Sequence, residues 1–333
     1  MPTTRLIGLE EHVVWPEVLD HWSRSQARWP DLSWAASSHG EPGRRLAEIG
    51  ADRIAAMDRT GLDAQVLSLS TPGLQNLDPA DALELQQRSN DALAEVVRDR
   101  PDRFGGFDTL ATTAPGGAAA ELGRAVTDLG LDGAMIFSRT RGRPADDPAL
   151  WPVYEVAEAL RAPLYLHPTT PPAAVRADCY DGLGDDAVSA ALATHCVGWH
   201  FDTGVQLLRL ILSGVFDRFP ELQIIVGHWG ELVAFYLERL APLEQVARLP
   251  RPLVDYFRTQ VHVTPSGMLS TRYLMWTVDV LGADRIMFST DYPFEVASRE
   301  GARDFLDQAP LNDRTRDLIA HGNWDRLRGG IRR

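Results

Sequence analysis

Eight short runs rich in apolar and β-branched residues recur along the chain, and their alternation with helix-like segments constrains its fold more than any other feature. They are RLIGLEEH (5–12), AQVLSLS (64–70), RFGGFDTL (103–110), GAMIFS (133–138), PLYLHP (163–168), QIIVGH (223–228), QVHVTPS (260–266) and RIMFSTD (285–291). Between most of them apolar residues recur at the helical period, as in 81–100, 116–130 and 150–162. Strand–helix alternation repeated eight times predicts an α/β chain closed into a parallel (β/α)₈ barrel of the TIM type. A doubly wound open sheet is the competing arrangement, and no GxGxxG follows the first strand to support it. Two connections are longer than usual, roughly 13–50 after strand one and 168–202 after strand five. Both follow the C-terminal end of a strand, where barrel loops build active sites. No repeat or linker divides residues 1–333, so a single barrel domain is expected.

A formal charge of −13 argues against a nucleic-acid partner and against an anionic membrane surface. No stretch is long and apolar enough to span a bilayer, and the N-terminal residues lack a signal-peptide core. Two cysteines, Cys179 and Cys196, do not make a disulfide framework, and a reduced cytoplasmic protein is expected. All 33 basic residues are arginines. With no lysine there is no Schiff base, no P-loop and no carbamylated bridge between two metals.

Polar residues gather at the strand ends. Strand one closes in Glu10, Glu11 and His12, and alternation puts Glu10 and His12 on one face with Glu11 on the other. Strand five ends in His167, strand six in His228 and strand eight in Asp291. A lone histidine at a strand end is more often a hydrogen-bonded core residue. In a closed barrel, however, these ends meet at one mouth. Glu10, His12, His167 and Asp291 can then surround one divalent cation, a donor set suited to Zn²⁺ or Mn²⁺. Glu231, three residues after His228, is expected at a helix N-terminus and can form an acid/base pair with that histidine. Arg239 reads either as a surface helix residue or as a carboxylate fork. Phe294 reads as a core residue or as an aromatic wall.

Taken together, LEEH, LSLSTPG, RPDRFGGFDTL, LYLHP, LRLILSGVFDRFPELQIIVGHWGE, DRIMFSTDYPFE and HGNWDRL resemble the amidohydrolase superfamily over nearly the whole chain. They are most similar to the branch with γ-resorcylate, 2,3-dihydroxybenzoate, 5-carboxyvanillate and 2-amino-3-carboxymuconate semialdehyde decarboxylases. Where several members have HxH at strand one, this chain has ExH, as the hydroxybenzoate decarboxylases do. The resemblance implies metal ligation by Glu10, His12, His167 and Asp291, with one Zn²⁺ or Mn²⁺ (or Mg²⁺) per chain. It implies catalytic roles for Asp291, first choice as proton donor, and for His228 with Glu231. It places Arg239 and Phe294 at the substrate. The implied reaction is non-oxidative decarboxylation of a small aromatic carboxylate bearing an ortho hydroxyl, by a homodimer or homotetramer. The alternative is metal-dependent hydrolysis of a lactone, ester or amide on the same barrel.

Overall fold

The computed structural model describes residues 4–295 and 301–333. Among the described residues ten strands lie in chain order: β1 (Ile7–Val13), β2 (Ala64–Leu69), β3 (Phe104–Gly106), β4 (Asp108–Thr109), β5 (Ala134–Phe137), β6 (Arg139–Thr140), β7 (Arg143–Pro144), β8 (Leu164–His167), β9 (Ile224–Val226) and β10 (Val261–Val263). β6 and β7 form a small antiparallel hairpin that the sequence reading did not anticipate. The others are parallel, in two sheets ordered β1-β2-β3 and β10-β9-β8-β5-β4.

Two seams close these sheets into the expected (β/α)₈ barrel. The run expected as one strand at 103–110 is divided at Phe107. β3 pairs with β2 and β4 with β5, so this run joins the sheets. At the other seam, the expected strand at 285–291 forms no regular ladder. It is held by a bridge from Val263 to Ile286 and by Leu9 N donating to Phe288 O at 3.0 Å. Farther along, His12 N donates to Tyr292 O at 2.8 Å.

Strand periodicity decides what faces inward. Ile7, Leu9, Val66, Phe107, Met135, Tyr165, Ile225 and Met287 form one buried cluster inside the barrel. Their chain neighbours Leu67, Ile136, Leu164, Leu166, Ile224 and Val226 pack outward against the helices. Because Tyr165 points in, so does His167 two residues on. Trp324, on the helix Asn323–Gly329, joins the inner cluster with its ring 5.5 Å from that of Phe107. Asn323 Nδ2 donates to Ala283 O and Ile286 O, so HGNWDRL seals the end of the barrel where the strands begin.

The helical expectations map onto Pro79–Asp99, Pro115–Thr127 and Trp151–Leu160. The two long connections are helical insertions rather than open loops. The first holds Pro16–Ser25, Trp34–Ser38 and Gly40–Ala47. The second holds Ala173–Cys179, Asp186–Ala191 and a π-turn at Leu192–Cys196, before the long helix Gly198–Leu212. Among the described residues, no helix is long and apolar enough to cross a membrane.

Candidate metal centre and adjoining pocket

β1 delivers two side chains to the mouth. A register shift between Gly8 and Glu11 bulges the strand, yet Glu10 and His12 still share the inner side. Glu10, His12 and His167 offer ligand atoms that all lie within 4.8 Å of one another. His12 Nε2 is 3.2 Å from Asp291 Oδ1, and His167 Nε2 is 3.5 Å from Glu10 Oε1. The four expected ligands therefore converge.

The surrounding groups fix them. Tyr165 donates its phenolic proton to Glu10 Oε2 at 2.7 Å, and the Ser266 hydroxyl donates to the same oxygen. Gly227 leaves room for this: a Cβ there would lie 3.0 Å from Glu10 Oε2. His167 Nδ1 lies 2.8 Å from Pro168 O. A carbonyl only accepts, so Nδ1 carries the proton and Nε2 presents its lone pair inward. Glu10 Oε1 and His12 Nε2 are both buried without a hydrogen-bond partner. Two orphaned buried acceptors facing one space are costly unless a cation lies between them, so these residues fit a divalent ion.

Electrostatics agree with the geometry. Burial pushes His12 down to about 4 and His167 down to about 3, so both are neutral at pH 7 as ligands must be. Burial raises the Asp291 carboxyl to about 7, against the opposing pull of His228. Asp291 also has φ +56°, a left-handed conformation that favours glycine.

The pair His228–Glu231 is present but differently built from expectation. His228, Trp229, Glu231 and Leu232 all have positive φ, and the regular helix begins only at Val233. Glu231 is thus in a left-handed turn, not at a helix N-terminus. Its charge is kept by histidines instead: Oε1 accepts from His228 Nδ1 at 2.8 Å and Oε2 from His200 Nδ1 at 2.9 Å. Burial pushes the Glu231 carboxyl up, but His228 and His200 outweigh it and hold it near 2. Burial likewise disfavours charge on His228, yet Glu231 raises it to about 10. Such strained runs cluster at functional sites, and this one lies at a polar strand end.

A cavity of about 250 Å³ opens over this floor, lined by His167, His200, His228 and Asp291 below and by Trp199, Met268 and Phe294 around it. Phe294 lines this cavity with its ring 5.8 Å from that of His12. Trp199 Nε1 is a buried donor without a partner. Arg239 is not in this pocket. It is exposed on the outward face of Val233–Leu240, three residues beyond the exposed Tyr236.

Sequence reasoning missed His200, Trp199 and Tyr165. Tyr165 was within reach, having the same strand parity as His167. His200 lies on a helix after the second insertion, and no local pattern marks it. His262, inside β10, is buried, and burial with Arg285 pushes it down to about 3.

The comparisons agree with one another. Residues 10–327 match the amidohydrolase family model. A γ-resorcylate decarboxylase of Polaromonas sp. is 36% identical over 335 residues, covering 96% of this chain and 97% of its own length. A 5-carboxyvanillate decarboxylase from Sphingomonas paucimobilis superposes with a TM-score of 0.88 at 33% identity, over 98% of this chain and 99% of its own. A dihydroxybenzoic acid decarboxylase from Polaromonas sp., solved with manganese and the inhibitor 2-nitroresorcinol, gives a TM-score of 0.84 at 35% identity, over 98% and 97% of the two chains.

Proposed function

The chain belongs to the amidohydrolase family, and from that premise we propose that it catalyses metal-dependent, non-oxidative decarboxylation of a small ortho-hydroxybenzoate. The observation that carries this reading is the convergence of Glu10, His12, His167 and Asp291 on the floor of a pocket walled by aromatic side chains. Those four residues would hold one divalent ion, Mn²⁺ or Zn²⁺. Such an ion, when bound, acts as a Lewis acid towards substrate oxygens.

The remaining work falls to side chains. Phe294 and Trp199 confine the ring. The charged His228, oriented by Glu231, is a donor for a substrate oxygen. Asp291, whose carboxyl lies at the pocket floor, hands a proton to the ring carbon bearing the carboxylate. The electrons of the C–C bond then return to the ring, CO₂ leaves and the new C–H bond remains. Direct loss of CO₂ would instead leave an aryl carbanion, which this order avoids.

Among the described residues lining the pocket none is arginine. With the His228 imidazolium assigned to the first substrate oxygens, a second carboxylate on the ring would have no guanidinium to pair with, so the pocket favours a monocarboxylate such as 2,6-dihydroxybenzoate over 5-carboxyvanillate. We also infer a cytoplasmic homodimer or homotetramer. The exposure of Phe201 (58%) and Tyr236 (60%) supports self-association.

The test is CO₂ release by Mn²⁺-loaded protein from 2,6- and 2,3-dihydroxybenzoate, salicylate and 5-carboxyvanillate, beside Asp291→Asn. Metal-dependent release from a monocarboxylate, lowered at least about 10²-fold by the substitution, is expected. Silence across the panel from protein that has taken up metal would sink the proposal.

A further inference from the structure

Behind the strand end at His167 lies a second cavity, of about 280 Å³, on the other side of the segment carrying Asp31 and Ser33. Trp29, Pro30, Pro171 and Pro172 give it flat apolar walls, and Arg28, Arg139 and Arg176 line it. Its charges do not cancel. Arg139 is held by Asp202 at 2.7 and 2.8 Å. Arg28 and Arg141 share one carboxylate, Asp78. Asp31 accepts from Ser33 and Thr170. Arg176 has no carboxylate partner among the described residues, and its Nε is buried without an acceptor. Trp29 Nε1 is a second buried donor in the same condition. Three arginines and one carboxylate, Asp31, line the chamber; with the outlying partners Arg141, Asp78 and Asp202 the balance is four arginines to three carboxylates, in a molecule whose formal charge is −13.

An arginine that lines a cavity with no carboxylate to meet it calls for an acceptor there. One uncompensated guanidinium calls for a single negative charge. Flat apolar walls beside it suit a planar body. We propose that this chamber is an anion site, separate from the metal pocket, that binds a carboxylate-type monoanion with Arg176 as its anchor. Two sources share that chemistry: an aromatic carboxylate, and bicarbonate formed from released CO₂. The anion site itself does not depend on the decarboxylase reading, since an anion lacking any ortho hydroxyl should still bind; only its assignment to CO₂-derived bicarbonate rests on that reading.

The experiment is calorimetric titration with benzoate and, separately, with bicarbonate. It uses the wild-type chain, Arg176→Ala, Arg176→Lys and Asp291→Asn, with thermal melts of each as the control on folding. The expected result is a binding event that Arg176→Ala weakens roughly tenfold or more, the loss of one charge-assisted contact. Arg176→Lys should recover part of it, Asp291→Asn should leave it in place, and Arg176→Ala should keep wild-type turnover. Tighter binding of benzoate assigns the chamber to the aromatic acid, and tighter binding of bicarbonate assigns it to the product. The absence of any event sensitive to Arg176, or the loss of that event in Asp291→Asn, overturns the proposal.

Discussion

Asp108 illustrates how a single buried group can work against its own fold. It is buried in β4 with neither carboxylate oxygen hydrogen-bonded by a side chain or backbone partner. Burial, reinforced by Glu121, pushes its carboxyl well above the ordinary range. A carboxyl raised in the folded state stays protonated there while the unfolded chain ionises, so it costs stability as pH rises above about 4. Asp108→Asn should therefore raise the urea midpoint at pH 7, with the gain vanishing towards pH 4. The pair His228–Glu231 behaves in the opposite way. The depressed Glu231 adds stability above pH 4.5 that is lost as pH falls through about 2. The raised His228 adds stability below pH 6.5 that is lost as pH climbs through about 10. Removing one partner of a buried pair costs about 3–5 kcal/mol. Thermal melts of Glu231→Gln should show that deficit at its largest between pH 4.5 and 6.5, narrowing by pH 10. An equal deficit at all pH values would show that packing, not charge, is lost.

At the scale of elements, the mouth of the barrel depends on how its irregular eighth strand is tied down. Glu11, facing away from the metal centre, accepts from Thr290 N at 2.8 Å, Thr290 Oγ1 at 2.6 Å and Gln65 Nε2 at 3.0 Å. Arg53 completes this layer by donating to Gln65 Oε1 and to His12 O, each at 2.8 Å. Glu11 therefore clamps the residue before Asp291 against the strand carrying His12. Glu11→Ala should lower metal affinity by about 10–100-fold in direct titration, with faster hydrogen exchange across 286–291. Unchanged affinity would mean that the closing strand holds its place without Glu11. The same elements show what the sequence could reveal. Alternating parity in LEEH put Glu10 and His12 on one face, and the strand end of LYLHP put His167 at the same mouth, because both follow from chain geometry; the bulge before Glu11 that turns this face inward was not legible. RIMFSTD gave the right location for Asp291 but not the missing ladder, because bridge pairing depends on partners distant in sequence. The HWGE turn was mistaken for a helix start, since four left-handed residues have no compositional signal except Gly230. His200 was invisible for a related reason: its role comes only from the packing of its helix against that turn.

At the scale of the whole molecule, the barrel separates stability from chemistry along its axis. The mouth carries unpaired buried acceptors, positive φ angles and opposed charges, all of which cost folding energy. The opposite end is closed by apolar packing, with Trp324 held against Phe107, Ile7 and Ala64 and anchored through Asn323. Both ends were readable as motifs, yet HGNWDRL carried no sign that its task is structural, because a buried tryptophan and a substrate-stacking one look alike in a sequence. The division makes a prediction that distinguishes them. Trp324→Ala should lower stability by about 3–5 kcal/mol in chemical denaturation, the usual cost of truncating a large core aromatic. Well below its melting temperature, the same variant should retain wild-type metal affinity and KM, since the residue lies at the end of the barrel remote from the pocket. A change in KM without a loss of stability would place Trp324 in communication with the mouth and contradict that separation.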